Sequence, residues 1–299
     1  LNALDTSQVQ ALSTDQVKAL GSSVVSNLSS TNLRALSSTQ VQALSNDALN
    51  ALSTTKIQQL TTQEVTALTA GQLNALSSTN LGALTTVQVG VLTTAQLDKL
   101  STSSLQNLSS SQLNALNTNQ LGALSTGHVK ALTSTQVQNL SSTNLSSLTY
   151  TQVGALEAED FTALGLTKIT QLTAAQVRGM STEDIAALSS AQISVLLTTQ
   201  IDALNAQAVG ALNTAQVAAL SSTQVKALSL TSLSSLTTGQ LQAISTAAVN
   251  VLDAKQVGAL TTDQVAAIET RDIPALGTQQ VAALGDAQLG AIGTDQLRA

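Results

Sequence analysis

The chain has 299 residues, 43% apolar but only 1% aromatic and 9% charged, with one proline, no cysteine and a formal charge of −6. Without cysteine there are no disulfides or thiolate metal sites, and 11 scattered Lys and Arg argue against a surface that neutralises nucleic-acid phosphates. No apolar run approaches the roughly 18 residues of a membrane span, and one proline with abundant Ala, Leu and Val is not the composition of a disordered chain.

From Leu1 the chain repeats one eight-residue phrase. With Leu placed at position 8, that position falls at Leu4, Leu12 and every eighth residue to Ile292, 37 times without an insertion. Thirty-three of these are Leu; Met180, Ile244, Ile268 and Ile292 are the others. Position 5 is apolar throughout, position 7 is mostly Ala, and position 6 carries Gln, Lys, Gly, Asn or Ser and is expected to face water. The pattern is [ST]-[ST]-x-Q-[VL]-x-A-L. A β-solenoid would point position 8 outward although it is the most apolar column, and Ala and Gln are poor strand residues.

A helix per octad accounts for more columns. The preferred N-cap types Ser, Thr, Asp, Asn and Gly fill position 1 in 34 of 37 octads. Position 4 is Gln in 21 of 37, which forms the S/T-x-x-Q capping box, and position 8 before the cap pairs with position 5 as a hydrophobic staple. Positions 5 and 8 then share one helix face. Each octad is predicted to be a helix of about seven residues, too short to stand alone.

Taken in chain order, the early octads place Asp15 and Glu64 in first turns, and Lys18 and Arg34 at position 6, which suits the helix dipole. Asp263 and Asp295, and Lys130, Arg178 and Lys226, follow the same rule. Gly21 opens an octad, as do Gly165, Gly277, Gly285 and Gly293, and a left-handed C′ conformation is expected there. His128, the only histidine, stands at position 4 of STGHVKAL and reads as a surface cap variant. Tyr150 falls at position 2, and Phe161 and Met180 in core columns. The octads EAEDFTAL, STEDIAAL and ETRDIPAL put Asp160, Asp184 and Asp272 in place of the Gln, with Glu157 and Glu269 as caps. The plain reading is capping by carboxylates. The sharper one is a cation site at Asp160 and Asp184, which three octads per turn would stack so that Ca²⁺ could relieve their repulsion. Pro274 sits inside a proposed helix, so that octad is distorted or its last turn is not α-helical.

The expected architecture is all-α: one uninterrupted solenoid over residues 1–299, with two to four octads per turn, whose short helices share a continuous core. The array enters at position 5 and leaves at position 7 without a polar capping repeat. That points to a slice of a longer array, or to ends that meet in a fibre. No Ser–His–Asp arrangement, phosphate loop or paired-carboxylate cleft is visible, and no cofactor is implied.

The phrases LSSTQVQAL, LNTAQVAAL and LTTDQVAAI resemble octapeptide arrays of large bacterial secreted or surface proteins of adhesin-like or S-layer-like type. The resemblance implies an extracellular or cell-surface setting and assigns no functional residue. The function expected is a non-enzymatic stalk, spacer or filament subunit that self-associates. The alternative is a binding module that presents its repeating face to glycan, ice or another surface, with Ser and Thr of positions 1 and 2 as the hydroxyl rows.

Overall fold

The computed structural model describes every residue from Leu1 to Ala299 and contains 36 short α-helices and one 3₁₀ turn, with no strand. The octad places one helix in each repeat. Ser38–Ala43 and Thr86–Gly90 are typical: an extended N-cap at position 1, helix from position 2, and exit at position 7 or 8. Helices run four to six residues, shorter than the expected seven, because the last turn tightens. The position-8 N–H bonds the position-5 carbonyl three residues back, as Leu92 does to Val89 at 3.1 Å.

The capping box forms as the spacing predicts. Ser37 N–H donates to Gln40 Oε1 at 2.8 Å while Gln40 N–H donates to Ser37 Oγ at 3.3 Å. The same reciprocal pair closes Thr173 with Gln176. The caps Leu197, Gly277, Gly285 and Gly293 forgo the side-chain half and keep the Gln half, as at Gly277, whose N–H donates to Gln280 Oε1 at 2.6 Å.

The chain divides into two compact units, Leu1–Leu148 and Thr149–Ala299. In the first, Ser38–Ala43 packs on Thr62–Ala67, and Ser22–Ser26 on Asn46–Asn50. In the second, Tyr150–Val153 packs on Ala174–Gly179, and Thr214–Ala218 on Thr238–Ala243. Each helix therefore lies on the third one along the chain. Three octads complete a coil in either unit, within the expected range of two to four. Positions 5 and 8 fill the centre of the coils: Val17, Leu97, Phe161 and Val225 are fully buried, and Met180 nearly so.

One expectation is corrected and another is given its form. No residue has positive φ, so the position-1 glycines are not left-handed C′ residues; Gly21 and Gly285 have φ/ψ of −74/161° and −77/165°. The cap must be extended for position 1 to meet the N3 amide. An extended position 8 followed by an extended position 1 turns the chain without an αL residue, and the carbonyls a Schellman motif would satisfy find donors elsewhere. In ETRDIPAL the helix is replaced by a 3₁₀ turn at Ile273–Ala275. Pro274 has no N–H and crowds the preceding turn, and i→i+3 bonds carry the octad instead, Ala275 N–H to Asp272 O and Leu276 N–H to Ile273 O.

Because Gly285 is extended, a side chain is admissible there, and an added Cβ would meet only Gln288 Oε1 at 3.8 Å. Gly285→Ser should raise the stability of the Thr149–Ala299 unit by about 0.5–1 kcal/mol in urea denaturation, through the new cap bond and a stiffer unfolded chain. A left-handed glycine would give a loss instead.

Candidate functional site

The residues that hold successive coils together sit at position 4, and they face inward. Gln40, Gln88 and Gln200 are buried, and each amide does two jobs. Its Oε1 accepts from its own N-cap, as from Thr85 N–H at 2.8 Å for Gln88. Its Nε2 donates to two carbonyls of the coil before, which for Gln88 are those of Ile57 and Leu60, both at 2.8 Å. In the second unit Gln200 reaches Ile169 and Leu172 at 2.8 and 2.7 Å. These acceptors are positions 5 and 8 of an octad in the previous coil, at the exit of its helix, where the position-8 carbonyl lacks an intrahelical donor and that of position 5 has only the i→i+3 bond from the position-8 N–H. One side chain thus caps the start of its own helix and the end of another.

Replacements at position 4 show which job each side chain keeps. His128 keeps both: Ser125 N–H lies 3.2 Å from Nδ1, and Nε2 lies 2.7 Å from Leu100 O. Nδ1 as acceptor and Nε2 as donor define the neutral Nε2–H tautomer. His128 is thus a cap variant, yet at 7% exposure it is not the surface residue expected, because its far nitrogen is drawn to the coil beneath. Lys56 keeps only the second job, donating Nζ–H to the Ser26 carbonyl.

Asparagine is one methylene too short to box its own cap. Asn80 still donates to Asn50 O and Leu52 O, both at 3.2 Å, but leaves the Ser77 N–H open. Asn50, at position 6 of the previous coil, supplies the missing acceptor: its Oδ1 takes the Ser77 N–H at 2.7 Å while its Nδ2 donates to Ala75 O at 2.7 Å. The same exchange joins Asn2 to Ser29 ahead of Asn32, and Asn114 to Ser141 ahead of Asn144. Asn74 serves Ser101 in the same way, where position 4 is Ser104. Every asparagine at position 4 thus has its own asparagine at the same offset before it: Asn2 for Asn32, Asn50 for Asn80 and Asn114 for Asn144.

Glu64 fills only half of the role. Its Oε2 accepts from Thr61 N–H at 2.5 Å and Thr61 Oγ1–H at 2.8 Å, but Oε1 is buried without a partner. It stands where Gln presents a donor, so the register sets acceptor against acceptor at Leu33 and Leu36. Burial pushes the Glu64 carboxyl above its usual range, against the opposing pull of the Thr61 hydrogen bonds and the Arg34 charge.

Asp160, Asp184 and Asp272 are also buried. Asp160 Oδ2 accepts from Glu157 N–H at 3.0 Å and Asp184 Oδ2 from Ser181 N–H at 2.8 Å, so each carboxylate caps its own helix. Thr246 Oγ1–H donates to Asp272 from the previous coil. Asp160 and Asp184 lie in helices packed one on the other. Burial raises the Asp184 pKa, and the charges of Glu183 and Asp160 raise it further. No group of three or more His, Cys, Asp or Glu gathers at metal-binding distance.

With this geometry in hand, comparison with known families finds a match to the ALTTAQ repeat at residues 1–30, 25–62, 65–102, 91–126, 102–134, 196–230, 233–267 and 265–299. The chain belongs to the ALTTAQ repeat family. No curated protein matches it. The stretch 135–195 lies outside the matches and holds Asn144, Asp160, Lys168 and Asp184 at position 4, whereas Lys56, Asn80, His128 and Asp272 fall within matched stretches. It nonetheless keeps one helix per octad.

The outer surface of the ALTTAQ repeats is polar and shallow. Position-1 hydroxyls are already acceptors for N3 amides, as Ser221 Oγ is for Gln224 N–H, and some position-3 hydroxyls are paired with them in turn, as Thr223 Oγ1 is with Ser221 Oγ at 3.1 Å. One recess of about 570 Å³ is lined by Tyr150, Thr151, Gly154, Ala175, Arg178 and Gly179. Its floor is a close approach: a Cβ on Gly154 would fall 2.3 Å from Gly179 O, and one on Gly179 would fall 2.4 Å from Tyr150 O. Both glycines are required there. The recess holds no carboxylate, histidine or activated nucleophile. No helix is long and apolar enough to cross a membrane.

Two outcomes test the stitch. Asn50→Ala should cost about 1 kcal/mol in urea denaturation by stranding the Ser77 N–H, and Asn80→Gln in the same chain should restore it from within the octad; additive losses would contradict the exchange. Glu64→Gln should stabilise by about 1–2 kcal/mol at neutral pH, because it supplies the missing donor and removes a buried charge. A carboxyl whose pKa is raised on folding stabilises when protonated, so the wild type should gain stability as pH falls through that pKa and the advantage of the variant should shrink.

Proposed function

We propose that this ALTTAQ array is a non-enzymatic structural element, a stalk, spacer or filament segment outside a bacterial cell. The observation that carries the reading is the commitment of its buried polar side chains to holding one coil on the next. Position 4 is the column where titratable groups are buried, and His128, Glu64, Asp160 and Asp184 all spend themselves there on N-caps. An enzyme needs such groups convergent on a substrate and free to exchange protons. The likeness of the octads to arrays of adhesin-like and S-layer-like proteins supports a setting at the cell surface. The competing reading, a glycan- or ice-binding face, loses the position-1 hydroxyl row to capping and would have to rest on positions 2 and 3.

Immunogold labelling of unpermeabilised bacteria that produce the protein tests the proposal. Label is expected outside the cell, and deletion of whole three-octad coils should bring it closer to the envelope in proportion. Label confined to the cytoplasm, or a distance indifferent to coil number, would overturn the reading.

A further inference from the structure

Outside the position-4 column, one surface feature departs from the repeat. Tyr150 is the only tyrosine, the chain has no tryptophan, and Phe161 is buried. Tyr150 therefore carries the one aromatic ring at the surface, where it is 60% exposed. It lines the recess of about 570 Å³ together with Thr151, Gly154, Ala175, Arg178 and Gly179. Ring and guanidinium come from Tyr150–Val153 and Ala174–Gly179, two helices packed one on the other. Both lie in the stretch outside the family matches.

The same place recurs two coils on, between Thr198–Asp202 and Ser222–Ala227. A recess of about 560 Å³ there is lined by Thr198, Asp202 and Lys226 among others. The octad phase sets Thr198 where Tyr150 stands, Asp202 where Gly154 stands and Lys226 where Arg178 stands. In that recess a carboxylate accompanies the cation, and no ring is present. At Arg178 the carboxylate is gone. Gly154 takes its place, and the close approach to Gly179 O leaves no room for a side chain. Arg178 is not spent on the next coil either, as Arg34 is through its Nε–H to Gln59 O at 2.9 Å. An unpaired cation and an exposed ring over a floor of glycine backbone suit a ligand with one negative charge and one flat apolar face.

We propose that this recess binds a carboxylated sugar, a hexuronate residue of an acidic polysaccharide. The guanidinium takes the carboxylate through two parallel N–H···O bonds, and the phenol ring covers the C–H face of the pyranose. Thr149 Oγ1–H donates to Gln152 Oε1 at 3.2 Å, so Thr151 Oγ1–H donates to Thr149 Oγ1 at 3.0 Å and keeps its lone pairs for a sugar hydroxyl. An acidic peptide would satisfy Arg178 but leave the ring and the hydroxyls without partners. A phosphate monoester would bring close to two charges to one cation. The site goes beyond the spacer role proposed above, since a single recess makes the contact and not the repeating face.

Tyr150 supplies the test, because tyrosine emission from this chain reports on the recess alone. Titration with an oligomer of galacturonic acid should change that emission saturably, and the neutral galactose oligomer of equal length should not. Arg178→Ala should weaken binding at least about tenfold, whereas Lys226→Ala, the same loss of charge in the equivalent recess, should change it less than about twofold. Tyr150→Ser, followed by titration calorimetry, should also lose at least about tenfold. Both substituted side chains are exposed, and unchanged circular dichroism confirms the fold. A flat titration, equal losses from Arg178→Ala and Lys226→Ala, or an equal response to polyglutamate would overturn the site. None of these outcomes bears on the spacer reading, which the position of the immunogold label decides.

Discussion

Short helices have more ends than middles, and everything in this fold answers to that constraint. A helix leaves about four N–H groups at its start and four C=O groups at its exit without internal partners. Helices of four to six residues therefore leave most of their polar backbone exposed to the problem, and burial without partners is costly. Position 4 solves it by satisfying an entrance in one coil and an exit in the coil beneath. The hydrophobic columns at positions 5 and 8 then supply the burial, but only because the backbone around them has been paired.

This division of labour explains why the repeat tolerates variation in one column and not in another. Position 4 admits His128, whose ring spans the same two partners as an amide, and Lys56, which reaches only the lower one. It admits Asn80 because Asn50 makes good the lost acceptor. Glu64 is the misfit, since a carboxylate has two acceptors and the site asks for one acceptor and one donor. The apolar columns have no such exchange available, and they stay aliphatic apart from Phe161 and Met180.

Much of this was legible from the residues. The cap, the box, the staple, the two apolar columns and the helical class all follow from bonds between near neighbours along the chain, which a single octad can write. The second role of Gln is not legible in one octad, because its acceptors lie a whole coil away and are located only once the coil is known to hold three octads. A signal was present: a capping box accepts Glu as readily as Gln, yet position 4 holds 21 Gln and a single Glu, a bias that calls for a donor. The same omission misplaced His128 at the surface. The position-1 glycines match the usual left-handed helix exit in sequence, whereas here the exit carbonyls are met from another coil and no left-handed residue is needed. Pro274 was recognised as a break, and the structure supplies its form.

The mismatch between a one-octad phrase and a three-octad coil bears on how such a gene can change. Replication slippage that gains or loses one octad preserves the aliphatic core, yet turns every downstream side chain by a third of a revolution. Pairings such as Asn50 with Ser77 survive only if the slip falls outside the span between them. Slips of three octads restore every facing. Tracts rich in Gln, indifferent to which neighbour lies beneath, are the ones free to expand, while the asparagine pairs mark stretches whose length is locked.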